Sequence, residues 1–153
     1  MQVAHEIGIH AQLQHPNILP LYGAFVENDD ILLIMPYAAQ GSVYRLLRAA
    51  QTPFAEDFAV SYIIRPFLSG VAYLHSLGIM HRDIKTENVV VDEHSHVMIA
   101  DFGLAIDTHT TSAHLRVGTP LYMVRSHFNP FFMTLTFQDD GIVCPHQVSL
   151  SRP

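Results

Sequence analysis

The chain of 153 residues holds a single cysteine, Cys144, and a single lysine, Lys85. One cysteine excludes an internal disulfide framework and fits a reducing compartment, which points to an intracellular protein, cytoplasmic or nuclear. Only 14% of the residues are charged, and the net charge is -6. That balance speaks against nucleic acid or an anionic membrane as a partner. No basic-then-apolar segment opens the chain, so no signal peptide is read there. The longest apolar-rich stretch, 58–74, is broken by Ser61, Arg65, Pro66 and Ser69 and does not read as a membrane span. Internal repeats and low-complexity segments are absent.

Apolar residues, by contrast, make up 49% of the chain, enough for a sizeable core at ordinary single-domain length. Histidine is abundant, with eleven copies. His94 and His96 flank Ser95 in the manner of a metal pair, but two ligands without a third seldom make a site. They are read as a polar turn between two strands.

The order of elements follows from pattern. Val3, Ile7, Ile9 and Leu13 recur at helical spacing, predicting a helix over 1–14 that ends before His15-Pro16. Apolar runs at 18–26 and 31–35, separated by Glu27-Asn28-Asp29-Asp30, predict two strands and a turn. Ser42 is placed to cap a short helix to about residue 50. Thr52-Pro53 predicts the start of a long helix to about residue 76, with Thr52 as cap and a kink between Tyr62 and Pro66. Ile63 and Phe67 are expected on its core face. Runs at 89–92 and 97–100 read as two more strands joined by a turn. The mixture is an α+β fold.

Residues 81–103 read HRDIKTENVVVDEHSHVMIADFG. His-Arg-Asp, Lys85, Asn88 and Asp-Phe-Gly at these spacings resemble the catalytic and metal-binding loops of eukaryotic protein kinases. The resemblance implies a serine/threonine kinase that uses ATP and Mg²⁺ on a protein substrate. It implies that Asp83 accepts or orients the substrate hydroxyl proton and Lys85 sits on the transferred phosphate. Asn88 and Asp101 would hold the metal ions, which as hard cations take oxygen ligands. Glu6 falls at the glutamate of the family's C-helix. Met35, Pro36 and Ala38 fall in the hinge that binds adenine, with Met35 as gatekeeper, and Val90 falls under the adenine. Arg82 would pair with a phosphate on the activation loop. The usual position for that phosphate is Leu115 here, leaving Thr110, Thr111 and Ser112. Gly118-Thr119-Pro120-Leu121-Tyr122-Met123 resembles the substrate-docking end of the activation segment. Among kinases the pattern is most similar to the Aurora and NIMA-related groups. His81 and Phe102 would stack in a column with Leu21 and His10, and His10 is a polar choice that predicts a poorly formed stack.

The resemblance covers 1–123 and is expected to represent a partial domain: C-helix, part of the small-lobe sheet, hinge, long helix, catalytic loop and part of the activation segment. The glycine-rich loop and the strand lysine have no counterpart, so Glu6 has no lysine to pair with. Residues 124–153 read as an unrelated tail joined at a different boundary, with an interaction tail as the alternative. The expectation is therefore a kinase chain inactive alone. Its alternative is a non-catalytic, kinase-derived binding module or scaffold whose partner protein covers exposed core faces.

Overall fold

The computed structural model describes residues 2–110 and 117–122. The expected tail, Thr111, Ser112 and Leu115 lie outside the described residues.

Helix α1 spans Gln2–His10. Ile9, His10 and Leu13 are buried on its inner side. It stops short of the expected residue 14 because the amides of Gln12 and Leu13 bond to carbonyls three residues back, at Ile9 and His10. That tighter pairing closes the helix before Pro16. Strands β1 (Gly23–Glu27) and β2 (Asp30–Ile34) form an antiparallel hairpin. Its two-residue loop places Asn28 at φ 49 and Asp29 at φ 69. A type I′ turn needs positive φ at both positions, and Asn and Asp are the non-glycine side chains that tolerate it best. The first strand begins later than the pattern suggested because 17–19 is used elsewhere. Ile18 bridges Ile99 in parallel, and the Leu19 amide bonds the Ile99 carbonyl at 2.9 Å.

Strand β3 (Gly41–Ser42) leads into α2 (Val43–Ala49). Ser42 caps α2 as expected, its Oγ accepting from the Arg45 amide at 3.3 Å. The long helical stretch does not start at Thr52. It opens with the short α3 (Glu56–Phe58), whose N-cap is Ala55 with no side-chain cap bond. Phe54 instead packs edge-on against Phe58, with centroids 5.4 Å apart, and this apolar contact sets the helix start. A π turn at Ala59–Ile64 follows, and then α4 (Arg65–Ser76) with Pro66 in its first turn. Pro66 has no N–H to give the preceding turn, and the amide of Arg65 bonds back five residues to Val60. The proline is thus absorbed by a widened turn that begins before Tyr62. Phe67 is buried, and Ile63 packs against the same core.

Strands β4 (Ile79–Met80), β5 (Val89–Val91), β6 (Val97–Ile99) and β7 (Ile106–Asp107) complete the described chain. β3, β5 and β6 form one antiparallel sheet in that order, and β4 pairs with β7. The β5–β6 turn is the polar one expected from His94-Ser95-His96. Asp92 Oδ1 accepts the amides of His94 and His96, both at 2.8 Å, while Ser95 takes φ 67. No group of three or more potential metal ligands occurs among the described residues.

The main core joins α1, α4, β5 and β6 around Ile18, Leu74, Ile99 and Phe102. α4 approaches the sheet closely at Gly70, where a Cβ would lie 2.8 Å from the Asn17 carbonyl and 3.0 Å from Ile99 Cδ1. Three of the four expected members of the column, His10, Phe102 and His81, are in ring contact, contrary to the expectation from His10. Its ring lies 4.6 Å from Phe102, which lies 5.1 Å from His81. His10 is suited to its place because its Nε2 is 2.6 Å from the buried carbonyl of Leu19, which an apolar side chain would leave without that bond. Among the described residues, no helix is long and apolar enough to cross a membrane.

Candidate active site

The pairing of β4 with β7 and of β5 with β6 brings residues 81–88 against residues 100–104. His81 is the buried link between them. Its Nδ1 accepts the Asp83 amide at 3.3 Å, so Nε2 carries the proton and donates to the Ala100 carbonyl at 3.0 Å. Burial keeps this imidazole neutral by lowering its pKa, outweighing the Ala100 carbonyl and the carboxylates of Asp101 and Asp83. Arg82 and Asp101 both take left-handed backbone, at φ 66 and φ 64. Such non-glycine residues cost about 1–3 kcal/mol each and persist where surrounding bonds hold them. Arg82 is held by its Nε, which donates to the Leu104 carbonyl at 2.6 Å.

Asp83 is buried, and both its carboxylate oxygens are engaged. Oδ1 accepts from Thr119 Oγ1 at 2.6 Å and from the Thr119 amide at 2.9 Å. Oδ2 accepts from Lys85 Nζ at 2.7 Å and Asn88 Nδ2 at 3.1 Å. Burial pushes the Asp83 carboxyl up, but the bonds from Lys85 and Thr119, the Lys85 charge and the Asn88 bond together hold it below the usual carboxylate range. Its bond to Asp83 holds the Lys85 ammonium above its usual range. A carboxylate so stabilised is a weak base, suited to orienting a hydroxyl more than to stripping it of a proton.

Asn88 donates from Nδ2 to both the backbone carbonyl and the side chain of Asp83. Its amide oxygen is therefore the atom left for a cation. Asp101 is exposed, with Oδ1 receiving the Gly103 amide at 3.3 Å. Glu6, on α1, reaches the same loop: a Cβ placed on Gly103 would lie 3.4 Å from Glu6 Oε2 and 3.3 Å from Asp101 Oδ1.

The residues expected around adenine are Val90, within β5, and Met35, Pro36 and Ala38, which follow β2. Val90 is half-buried on Leu19, Met98 and Ala100. Met35 is exposed and Pro36 half-buried just after β2, and the Ala38 carbonyl accepts the Gly41 amide at 2.9 Å. Thr110, the described member of the three phosphate-site residues, is exposed and donates to the Asp107 carbonyl at 3.3 Å.

Four further residues, Thr119, Thr86, Glu87 and Tyr122, carry no individual role in the sequence pattern. Thr119 bonds Asp83 and also receives Lys85 Nζ at 3.3 Å. Thr86 Oγ1 and the Tyr122 hydroxyl are 2.9 Å apart, and both donate to Glu87 Oε2 at 3.2 Å in alternative arrangements. The docking motif that contains Thr119 and Tyr122 was visible, but a gap of 36 residues separates it from its partners.

Residues 1–125 match the family described as the protein kinase domain. The chain belongs to that family. The kinase relatives are of the serine/threonine class. The chain is 39% identical over 128 residues to serine/threonine-protein kinase PLK4 of Xenopus laevis, covering 80% of this chain and 13% of that protein. It is 38% identical over 124 residues to PLK4 of Drosophila melanogaster, covering 80% and 16%. Against serine/threonine-protein kinase GIN4 of Saccharomyces cerevisiae it is 38% identical over 121 residues, covering 78% and 10%. The chain thus spans less than a fifth of the length of these kinases.

Proposed function

We propose that this chain carries the floor of a site that transfers the γ-phosphate of ATP to serine or threonine hydroxyls of proteins. The observation that carries the reading is Asp83, buried and ionised, with Lys85, Asn88 and Thr119 converging on its two oxygens. An acceptor hydroxyl entering beside Asp83 would be oriented by this carboxylate, with the Lys85 ammonium next to the phosphate in transit. Asn88 Oδ1 and the Asp101 carboxylate would hold Mg²⁺, which supplies charge neutralisation on the phosphates. Met35, Pro36 and Ala38 would meet the adenine edge and Val90 its face. Turnover by the 153 residues alone is expected to be weak. Lys85, the sole lysine of the sequence, is committed to Asp83 and Thr119, so no lysine here can pair with Glu6.

Calorimetric titration with ATP, with and without Mg²⁺, tests the reading alongside phosphate transfer to a generic protein substrate. Binding is expected to require Mg²⁺ and to be lost in Asp101→Asn, and any transfer to be lost in Asp83→Asn. ATP binding that ignores both the metal and Asp101→Asn would sink it.

A second reading has its own observation. Phe25, Val26, Ile31 and Leu32 on the β1–β2 hairpin, and Phe58, Tyr62 and Leu68 along the long helical stretch, are exposed. Exposed apolar surface of this kind suits a partner protein. A stable heteromeric complex formed by a chain that binds no nucleotide would favour a binding module.

A further inference from the structure

The docking turn Pro120–Tyr122 is tied to the catalytic loop at both ends. At its start, Thr119 gives its amide and hydroxyl to Asp83. At its end, the Tyr122 hydroxyl meets Thr86 and Glu87, the two residues that directly follow Lys85. The Tyr122 amide closes the turn on the Thr119 carbonyl at 3.0 Å. Residues 83–87 and 119–122 therefore form a closed ring of bonds. We propose that Thr86, Glu87 and Tyr122 form a latch that fixes the docking turn on the catalytic loop, making Thr86 and Tyr122 positioning residues for the protein substrate.

The hydrogen inventory gives the latch its direction. Two hydroxyls bring two protons, and the carboxylate brings none. Thr86 can donate to Glu87 while Tyr122 donates to Thr86, or Tyr122 can donate to Glu87 while Thr86 donates to Tyr122. In both arrangements Glu87 is the terminal acceptor and the Thr86–Tyr122 contact survives. The Tyr122 hydroxyl is thus what joins turn to loop, through Thr86 or directly through Glu87. Valine at 86 has nearly the shape of threonine and removes the Thr86 route alone, serine at 86 keeps both routes, and phenylalanine at 122 removes both. The hydrogen bonds of the latch involve neither the Asn88 nor the Asp101 side chain, so its loss is expected to weaken the hold on protein substrate and leave nucleotide untouched. The substrate part of this inference rests on the kinase reading; the latch itself does not.

The test uses amide hydrogen exchange on the full 153-residue chain and needs no turnover. The reporter is the Thr119 amide, bonded to Asp83; the control is the Ile99 amide, bonded to Asn17 in the core. Tyr122→Phe is expected to lower Thr119 protection about tenfold, the scale of one net hydrogen bond, and Thr86→Val to lower it by less, because Tyr122 keeps Glu87. Ile99 protection stays unchanged, and Thr86→Ser keeps wild-type protection at both amides. Equal Thr119 protection in all four proteins overturns the latch, as does an unprotected Thr119 in the wild type. A parallel loss at Ile99 also overturns it, since the residues would then serve the whole fold. If exchange behaves as expected while the wild type neither binds Mg²⁺-ATP nor transfers phosphate, the kinase reading fails and the latch stands.

Discussion

Replacing Phe102 with alanine tests the link between core and site most directly. Phe102 is fully buried between Asp101 and Gly103, with its ring 4.6 Å from His10 and 5.1 Å from His81. Phenylalanine-to-alanine changes in cores cost about 3–5 kcal/mol, part transfer and part cavity. The spread depends on how far neighbours can collapse into the space. Here both flanking imidazoles are pinned, His10 to the Leu19 carbonyl and His81 to the Ala100 carbonyl. Collapse would break those bonds, so the loss belongs in the upper half of the range, about 4–5 kcal/mol. Against a total of about 5–15 kcal/mol for a folded domain, that is about a quarter or more of the stability. Phe102→Leu keeps most of the volume and is expected to cost about 1.5 kcal/mol. Urea denaturation followed by circular dichroism reads both. With a slope of about 2 kcal/mol per molar, the alanine midpoint drops by about 2 M and the leucine midpoint by under 1 M. An alanine variant within about 1.5 kcal/mol of wild type, or indistinguishable from the leucine variant, would show that the column does not hold the loop at 101–103 in place.

Two further expectations concern the same scaffold. His81 has a lowered pKa in the folded chain and takes a proton near 6.5 when unfolded. Below that pH the unfolded state binds more protons, so stability is fully present above about pH 7 and falls as acid is added, at a limiting slope of about 1.4 kcal/mol per pH unit from this group. Urea midpoints between pH 7.5 and 5.5 check it, and a slope unchanged in His81→Phe would refute the assignment. Gly70→Ala normally stabilises a helix interior by about 1 kcal/mol. Here the new Cβ would strike the Asn17 carbonyl at 2.8 Å and Ile99 Cδ1 at 3.0 Å, so a loss of about 1–3 kcal/mol is expected in thermal melts. A rise in Tm would refute the close approach.

Much of the site was legible because its groups are packed into one short stretch. Asp83, Lys85 and Asn88 follow one another through a single loop, and the Asp101-Phe102-Gly103 motif lies one strand pair further on. Local chemistry was also readable where it is truly local: Ser42 caps its helix, and Asn28-Asp29 makes its turn. Legibility failed where a distant partner decides. Thr52-Pro53 is a sound cap signal, yet Phe54 packing on Phe58 fixes the start of the helix. Pro66 announced a disturbance but not its form, because the π turn depends on which amide reaches which carbonyl. His10 was misjudged for the same reason: its polarity counts against it until the Leu19 carbonyl is seen beneath it. Thr119 acquires its role only when the chain returns across 36 residues to Asp83.

The neutral imidazole of His81 has a mechanical consequence. One nitrogen receives the amide of Asp83 and the other grips the carbonyl next to Asp101. The ring is a rigid ruler whose width sets the spacing between the carboxylate that would aim a hydroxyl and the one that would hold a cation. A second strut, from the Ala100 amide to the Asn88 carbonyl at 2.8 Å, runs alongside it. Two struts across one gap remove a degree of freedom, so the groups at 83, 88 and 101 move as one body.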